Sequence, residues 1–181
     1  MNAESIIRAA RESRRGSLDE WNGKKVLADF GIVVPRSAVV TAPDQVAKAV
    51  VGLEPPFAVK VMSAEILHKS DAGGVALRLA NSDAVREAIS TISERPLIHE
   101  ARVDGYLIEE MSAGGTELVI GAVRDLQFGL MLMVGLGGIF VEVLQDVAFR
   151  ICPISCSEGF AMLDELAELL GGAVGGTRAV V

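Results

Sequence analysis

The stretch FAVKVMSAEILHKSDAGGVALRL, residues 57–79, decides how this chain folds. Its two ends, Phe57–Met62 and Val75–Leu79, are short, apolar and rich in valine, which is typical of β-strands. The segment between them, 63–74, is polar and contains two adjacent glycines. We therefore predict two strands joined by a polar loop.

Lys60 is the charged residue of the first predicted strand. Because side chains alternate between the two faces of a sheet, Lys60 shares a face with Ala58 and Met62. A lysine in a strand this apolar either extends its ammonium group to water or meets an anion, and the strand alone leaves both alternatives open.

The polar loop indicates what the anion would be. His68, Lys69 and Ser70 offer hydrogen-bond donors, and Gly73 and Gly74 allow the backbone to approach a ligand closely. Each charge-assisted hydrogen bond contributes about 1.5–3 kcal/mol, so three or four could hold a triphosphate. The alternative is an ordinary polar surface loop.

Working outward from this stretch, helices and strands alternate irregularly. We predict helices over 3–15, 18–29, 43–51, 82–94 and 157–170, and further strands over 37–40, 106–111, 117–123, 130–134 and 147–151. Helices and antiparallel strand candidates that are segregated in this way indicate an α+β protein rather than a doubly wound parallel sheet.

Composition narrows the classes of partner. The 181 residues carry a net charge of −7, which argues against nucleic acid or an anionic membrane as partner. The longest uncharged run, 126–141, is shorter than the ~20 residues of a membrane-spanning helix, and four glycines interrupt it. We expect a cytoplasmic protein in which Cys152 and Cys156 are unpaired, buried thiols.

Downstream carboxylates suggest contacts with a nucleotide. The backbone around Glu110 and Met111 could read an adenine edge, although surface carboxylates on an edge strand explain the pattern equally well. The sequence GLGGIF, 135–140, ends in phenylalanine where a dinucleotide-binding motif has glycine, which excludes a Rossmann site. Glu142 and Arg150 are expected to pair with each other or to contact a metal–phosphate group.

Three segments together resemble a known family. FAVKVMSAEILHKSDAGGVALRL, YLIEEMSAGGTELVIGAVRDLQFG (106–129) and LMVGLGGIFVEVLQDVAFR (132–150) are similar to successive motifs of the ATP-grasp subunit of ADP-forming acyl-CoA synthetases, relatives of the succinyl-CoA synthetase β subunit. The opening LDEWNGKKVLADFGIVVP, 18–35, resembles the leading helix of that family.

The resemblance implies an ATP-grasp fold of class α+β, with two α/β lobes around a nucleotide cleft. Residues 1–104 would form the N-terminal helices and the small lobe, and 105–181 a second lobe that is incomplete at its C-terminus. The family's Mg²⁺ ligands, in a D/E-x-N-P element, would lie beyond Val181, so the metal ligands of this chain are unknown.

The resemblance also assigns residues. Lys60 and His68 are expected to be catalytic: Lys60 contacts phosphate, and His68 is a second phosphohistidine that receives phosphate from a companion subunit and passes it to ADP. The residues that would bind ATP or ADP are Lys60, Lys69, Gly73, Gly74, Glu109, Glu110, Met111, Glu117, Gly137, Gly138 and Glu142.

The expected activity is acyl-CoA + ADP + phosphate ⇌ acid + CoA + ATP, together with a CoA-binding α-type subunit and in an oligomer. One alternative is a truncated, catalytically incomplete ATP-grasp module that binds nucleotide or serves assembly. Another is an ATP-grasp ligase that joins acids to amines, against which the His68 loop counts. Neither the acyl group nor the nucleotide base follows from the sequence.

Overall fold

The computed structural model describes residues 2–14, 16–66, 68–112, 114–137 and 147–169. Contacts between residues divide the chain into two compact units, with the division between residues 113 and 114. Because Gly105–Glu110 pairs with strands of the first unit, this division lies further along the chain than the predicted boundary at 104/105.

The first unit is a four-stranded antiparallel sheet with helices. Its elements are α1 (Ala3–Glu12), α2 (Glu20–Asp29), β1 (Ser37–Val40), a 3₁₀ turn (Pro43–Gln45), α3 (Val46–Ala49), β2 (Phe57–Met62), β3 (Val75–Leu79), α4 (Ser82–Ser93), α5 (Pro96–His99) and β4 (Gly105–Glu110). The strand order in the sheet is β1-β4-β2-β3.

Helix starts in this unit follow from capping side chains. Asn2, Asp19 and Asn81 each accept a hydrogen bond from a backbone N–H in the first turn of α1, α2 and α4. Such caps satisfy amides that have no partner within the helix and contribute about 1 kcal/mol each. Asp19, the residue directly before Glu20, thereby fixes the start of α2 at Glu20.

One face of the sheet forms the core, and the other carries charge. Val59 and Val61 of β2 pack with Ile89 of α4 and Ile108 of β4, all of them inaccessible to solvent. Burying side chains of this size contributes about 1.5–3 kcal/mol each. Lys60 points to the opposite face, as the alternation predicted.

Gly74 is required where the polar loop enters β3. A Cβ atom at this position would lie 2.4 Å from Cγ1 of Val61, a core side chain. Gly73 has a φ of +68°, and it precedes Gly74 in the same turn. The glycine pair therefore lets the loop close onto β2.

The second unit is a three-stranded antiparallel sheet with one described helix. Strands β5 (Leu118–Asp125), β6 (Gly129–Leu136) and β7 (Val147–Ile151) lie in the order β5-β6-β7, and α6 (Cys156–Leu169) follows. Its core contains Val134, Ala148, Met162 and Leu166. Among the described residues, no helix is long and apolar enough to cross a membrane.

Most predicted elements are confirmed, and the strands over 37–40, 57–62, 75–79 and 147–151 have the predicted bounds. The prediction of a single helix over 43–51 was wrong, because the segment is a 3₁₀ turn followed by the short α3. The two cysteines are unpaired as predicted, but Cys156 is exposed and Cys152 only half-buried, so the expectation of buried thiols was wrong.

The contact at Gly74 makes a prediction about stability. Gly74→Ala should lower the free energy of unfolding by about 1–3 kcal/mol, because the added methyl group overlaps Val61. Gly23→Ala is the matched control: it lies inside α2 with nothing within 4 Å, and it should be neutral or stabilising. Urea unfolding measures both, and equal stabilities would contradict this role of Gly74.

Candidate functional site

The charged face of the first unit holds a cluster of five side chains. Helix α2 supplies Glu20 and Lys24, which lie one helical turn apart. Strand β2 supplies Lys60, β4 supplies Glu109, and the polar loop supplies Lys69. Three ammonium groups meet two carboxylates, so the cluster carries one net positive charge.

Hydrogen bonds connect all five groups. Lys24 Nζ lies 2.6 Å from Glu109 Oε1 and 3.1 Å from Glu20 Oε1. Lys60 Nζ lies 3.0 Å from Glu109 Oε2 and also donates to Glu20 Oε1. Lys69 Nζ lies 3.0 Å from Glu20 Oε2. Glu20 therefore bridges the strand and the loop, while Glu109 holds Lys24 and Lys60 together.

The two carboxylates differ in burial. The Glu109 side chain is 3% exposed, whereas that of Glu20 is 24% exposed. A buried carboxylate is stable only when it is paired, so Glu109 depends on its two lysines. Glu20 reaches solvent and lies at the edge of the cluster.

The lysines keep Glu20 ionised. Burial raises the pKa of Glu20, but hydrogen bonds from Lys60, Lys69 and Lys24 and the charge of Lys60 outweigh it and lower the pKa from 4.5 to about 2. Burial likewise lowers the pKa of Lys60, but hydrogen bonds to Glu20 and Glu109 outweigh it and raise the pKa above its usual value. Both groups are therefore charged at neutral pH.

The cluster borders a recess of about 470 Å³. Its lining residues are Glu20, Lys60, His68, Lys69, Ser70, Asp71 and Val75. The structure thus brings the two residues predicted to be catalytic, Lys60 and His68, to one cavity together with Lys69. His68 is exposed at this cavity, and Lys60 is held in ion pairs at its wall.

The amides of Gly73 and Gly74, which were predicted to contact nucleotide, form hydrogen bonds within the loop. The Gly73 amide donates to the Ser70 carbonyl at 3.0 Å, and the Gly74 amide donates to the Lys69 carbonyl at 2.7 Å. These amides hold the loop in shape and are not directed at a ligand in this structure. The glycines position Lys69 and Ser70, and their own contact with nucleotide stays a prediction.

The predicted adenine-reading segment is engaged within the first unit. The Glu110 carboxylate contacts Arg36 and accepts from the Glu54 amide, and the Glu110 amide donates to the Arg36 carbonyl. The Met111 amide donates to the Pro56 carbonyl at 2.9 Å. Because the Glu109 and Glu110 carboxylates and the Glu110 and Met111 amides already have partners within the first unit, the role of this segment in base reading stays a prediction.

In the second unit, Glu117 and Gly137 are adjacent. The Gly137 amide donates to the Glu117 carbonyl at 2.7 Å, and a Cβ on Gly137 would lie 3.0 Å from Cβ of Glu117. Gly138 and Glu142 lie outside the described residues. Arg150 donates to Glu165 of α6, which lies 15 residues further along the chain.

Glu20 and Lys24 are the site residues that the sequence reasoning missed. The available signal was their four-residue spacing in a predicted helix, which only indicates a surface pair. Within the described ranges, no group of three His, Cys, Asp or Glu side chains is arranged to hold a metal ion. We therefore assign no metal ligand among these residues.

Fold and sequence comparisons define the class of protein. Residues 9–179 match the family model described as an ATP-grasp domain. The chain therefore belongs to the ATP-grasp domain family, and the predicted α+β ATP-grasp fold is confirmed.

Within this family, the similarity is to ADP-forming acyl-CoA synthetases. The chain is 38% identical to the β subunit of acetate–CoA ligase (ADP-forming) I of Pyrococcus furiosus, over 96% of this chain and 76% of that subunit. It is 36% identical to 4-hydroxybutyrate–CoA ligase (ADP-forming) of Nitrosopumilus maritimus, over 96% of this chain and 25% of that protein.

Solved structures agree. The acetyl-coenzyme A synthetase 1 of Ca. Korarchaeum cryptofilum, in complex with coenzyme A, Ca-AMPCP and HgCl⁺, superimposes with a TM-score of 0.86 at 32% identity, covering 97% of this chain and 77% of that one.

A further sequence relative is the succinate–CoA ligase β subunit of Halobacterium salinarum, which is 32% identical over 72% of this chain and 34% of that subunit. The predicted resemblance is confirmed.

The lowered pKa of Glu20 predicts an acid-sensitive contribution to stability. A carboxylate whose pKa falls on folding stabilises the native state above its unfolded pKa, 4.5, and loses that contribution as pH falls towards about 2. Between pH 7 and pH 3 the loss should be about 2 kcal/mol. Glu20→Gln removes it, so its unfolding free energy should depend less on pH.

Urea unfolding at the two pH values measures this difference. Glu12→Gln, which removes an exposed carboxylate on α1, should retain the full pH dependence. An identical pH dependence in Glu20→Gln and in the unsubstituted protein would contradict the proposed strength of the Glu20 ion pairs.

Proposed function

We propose that this chain is the nucleotide-binding subunit of an ADP-forming acyl-CoA synthetase, an acid–thiol ligase that acts with a CoA-binding α-type partner. The overall reaction is acyl-CoA + ADP + phosphate ⇌ acid + CoA + ATP. The observation that carries this proposal is the convergence of Lys60, His68 and Lys69 on one recess. The similarity to ADP-forming acetate–CoA and 4-hydroxybutyrate–CoA ligases supports the same reaction class.

The chemistry of the recess fits phosphoryl transfer. Imidazole is a competent nucleophile towards phosphoryl groups, and His68 is exposed where it can receive one. In the relay, a nitrogen of His68 forms an N–P bond as the donor's bond to phosphorus breaks. A terminal oxygen of ADP then attacks phosphorus, an O–P bond forms, and the N–P bond breaks to restore the imidazole.

Lys60 and Lys69 would stabilise the transferring group. Both ammonium groups lie at the wall of the recess, and they are mounted on different elements, a strand and a loop. Positively charged donors fixed before the reaction lower the energy of the charge that spreads over phosphoryl oxygens. Mg²⁺ accompanies nucleotide in this family, but the described residues form no metal site, so no step here uses a metal ligand of this chain.

The relatives support a partner subunit or domain. The chain spans about three quarters of separate β subunits and about a quarter of a longer ligase. The additional length of the longer relative supports a companion part that handles acid and CoA. We propose that this part is the CoA-binding subunit and that it phosphorylates His68.

The phosphohistidine proposal has a direct test. With labelled ATP, Mg²⁺ and the cognate partner subunit, the protein should acquire acid-labile, base-stable phosphate, and His68→Asn should abolish this label. His99→Asn is the matched control, because His99 is the other histidine of the chain and lies on α5, outside the recess. Undiminished labelling of His68→Asn would disprove the relay through this residue.

Nucleotide binding tests the role of Lys60 and separates the enzyme from a non-binding module. Lys60→Met should weaken ADP binding about tenfold or more, because a charge-assisted hydrogen bond is lost. Lys48→Met, on the exposed side of α3, should bind as the unsubstituted protein does. Isothermal titration calorimetry measures both, and absence of ADP binding by the unsubstituted protein would favour the module.

A further inference from the structure

Glu20 occupies an unusual place for a residue in a phosphate-binding recess. Its carboxylate is an anion that already bridges Lys60 and Lys69, the two lysines that line the recess with His68. One oxygen accepts from the strand lysine and the other from the loop lysine. The two positive groups are therefore joined by an anion that belongs to the protein itself.

We propose that Glu20 is a specificity-determining residue: its carboxylate stands where a phosphoryl group binds, and a ligand must displace it from Lys60 and Lys69. This inference rests on the proposed function, since it concerns the same recess. It identifies the ligand class as multiply charged phosphoryl groups and excludes simple carboxylates.

The difference between the two carboxylates of the cluster supports displacement of Glu20. Glu109 is buried between Lys24 and Lys60, so its removal from them would leave buried charges unpaired. Glu20 is partly exposed at the recess and can move its carboxylate to water. After that movement Lys24 and Lys60 still share Glu109, while the bonds of Glu20 to Lys24, Lys60 and Lys69 are vacated.

Charge decides which ligand can displace it. With Glu20 in place the five groups carry one net positive charge, and without it the remaining four carry two. An attached carboxylate competes at the high effective concentration of an intramolecular group. A free monocarboxylate offers the same chemistry without that advantage, whereas a terminal phosphoryl group brings more charge and a third oxygen. The recess therefore discriminates against the acids that an acyl-CoA synthetase encounters.

Calorimetry with two probes tests this inference. Removing the competing charge in Glu20→Gln should tighten ADP binding about tenfold, the order expected for one nearby like charge. Adenosine, which lacks phosphate, should bind with unchanged affinity, and this readout separates competition from a general structural effect. Glu12→Gln should leave both affinities unchanged.

A second variant, Glu20→Asp, keeps the test decisive if Glu20→Gln does not fold. Glu20→Asp keeps the charge but is one methylene shorter, so it cannot bridge both lysines equally well and should tighten ADP binding by less than Glu20→Gln. In Glu20→Gln, acetate should also become a measurable competitor of ADP, and it should not compete in the unsubstituted protein. Thermal melting identifies any variant that does not fold, and the remaining variant then decides.

The outcomes separate the two proposals. If the unsubstituted protein binds ADP but the variants bind it equally or more weakly, Glu20 is not a competitor, and the proposed function stands. If folded unsubstituted protein binds no ADP, the proposed function fails and this inference fails with it. Tighter ADP binding with unchanged adenosine binding supports both.

Discussion

The first unit depends on a buried carboxylate shared by two lysines. Glu109 of β4 lies between Lys24 of α2 and Lys60 of β2, and its side chain is almost inaccessible to water. Burying Glu109 without the two lysines, or the lysines without Glu109, would leave unpaired charge away from water. The arrangement therefore fixes helix α2 over the charged face of the sheet, and it directs the ammonium group of Lys60 to one place.

Local sequence patterns were sufficient for most of the fold. The apolar runs at 57–62 and 75–79 predict strands because their residues suit a pleated, buried surface. The helix predicted over 82–94 begins at Ser82, where the Asn81 side chain caps it. The short α3 and α5 were harder, since four residues hardly establish a helical period. The exposure of Cys156 depends on tertiary packing, which its sequence neighbours do not reveal.

Only the part of the candidate site that lies within one short stretch of sequence could be predicted. Lys60, His68 and Lys69 lie within one short stretch, so a polar loop behind a charged strand pointed to them. Glu20 hydrogen bonds to Lys60 across 40 positions, and Lys24 bonds to Glu109 across 85. No period or spacing encodes such pairs. The glycine pair at 73 and 74 misleads in another way. Its sequence suggests close approach of a ligand, but in the structure Gly74 is needed for packing against Val61.

Under the proposed function, the cluster also reconciles an acidic protein with an anionic ligand. A net charge of −7 gives the protein no general attraction for phosphate, so attraction must come from a few fixed groups. The positive and negative charges of those groups nearly cancel. Without the carboxylates the lysines would repel one another, and this repulsion would oppose the docking of α2 on the sheet. The same balance requires a carboxylate near the ligand position. If Glu20 competes with ligand as proposed, the charge that permits folding without ligand also sets how highly charged a ligand must be to bind.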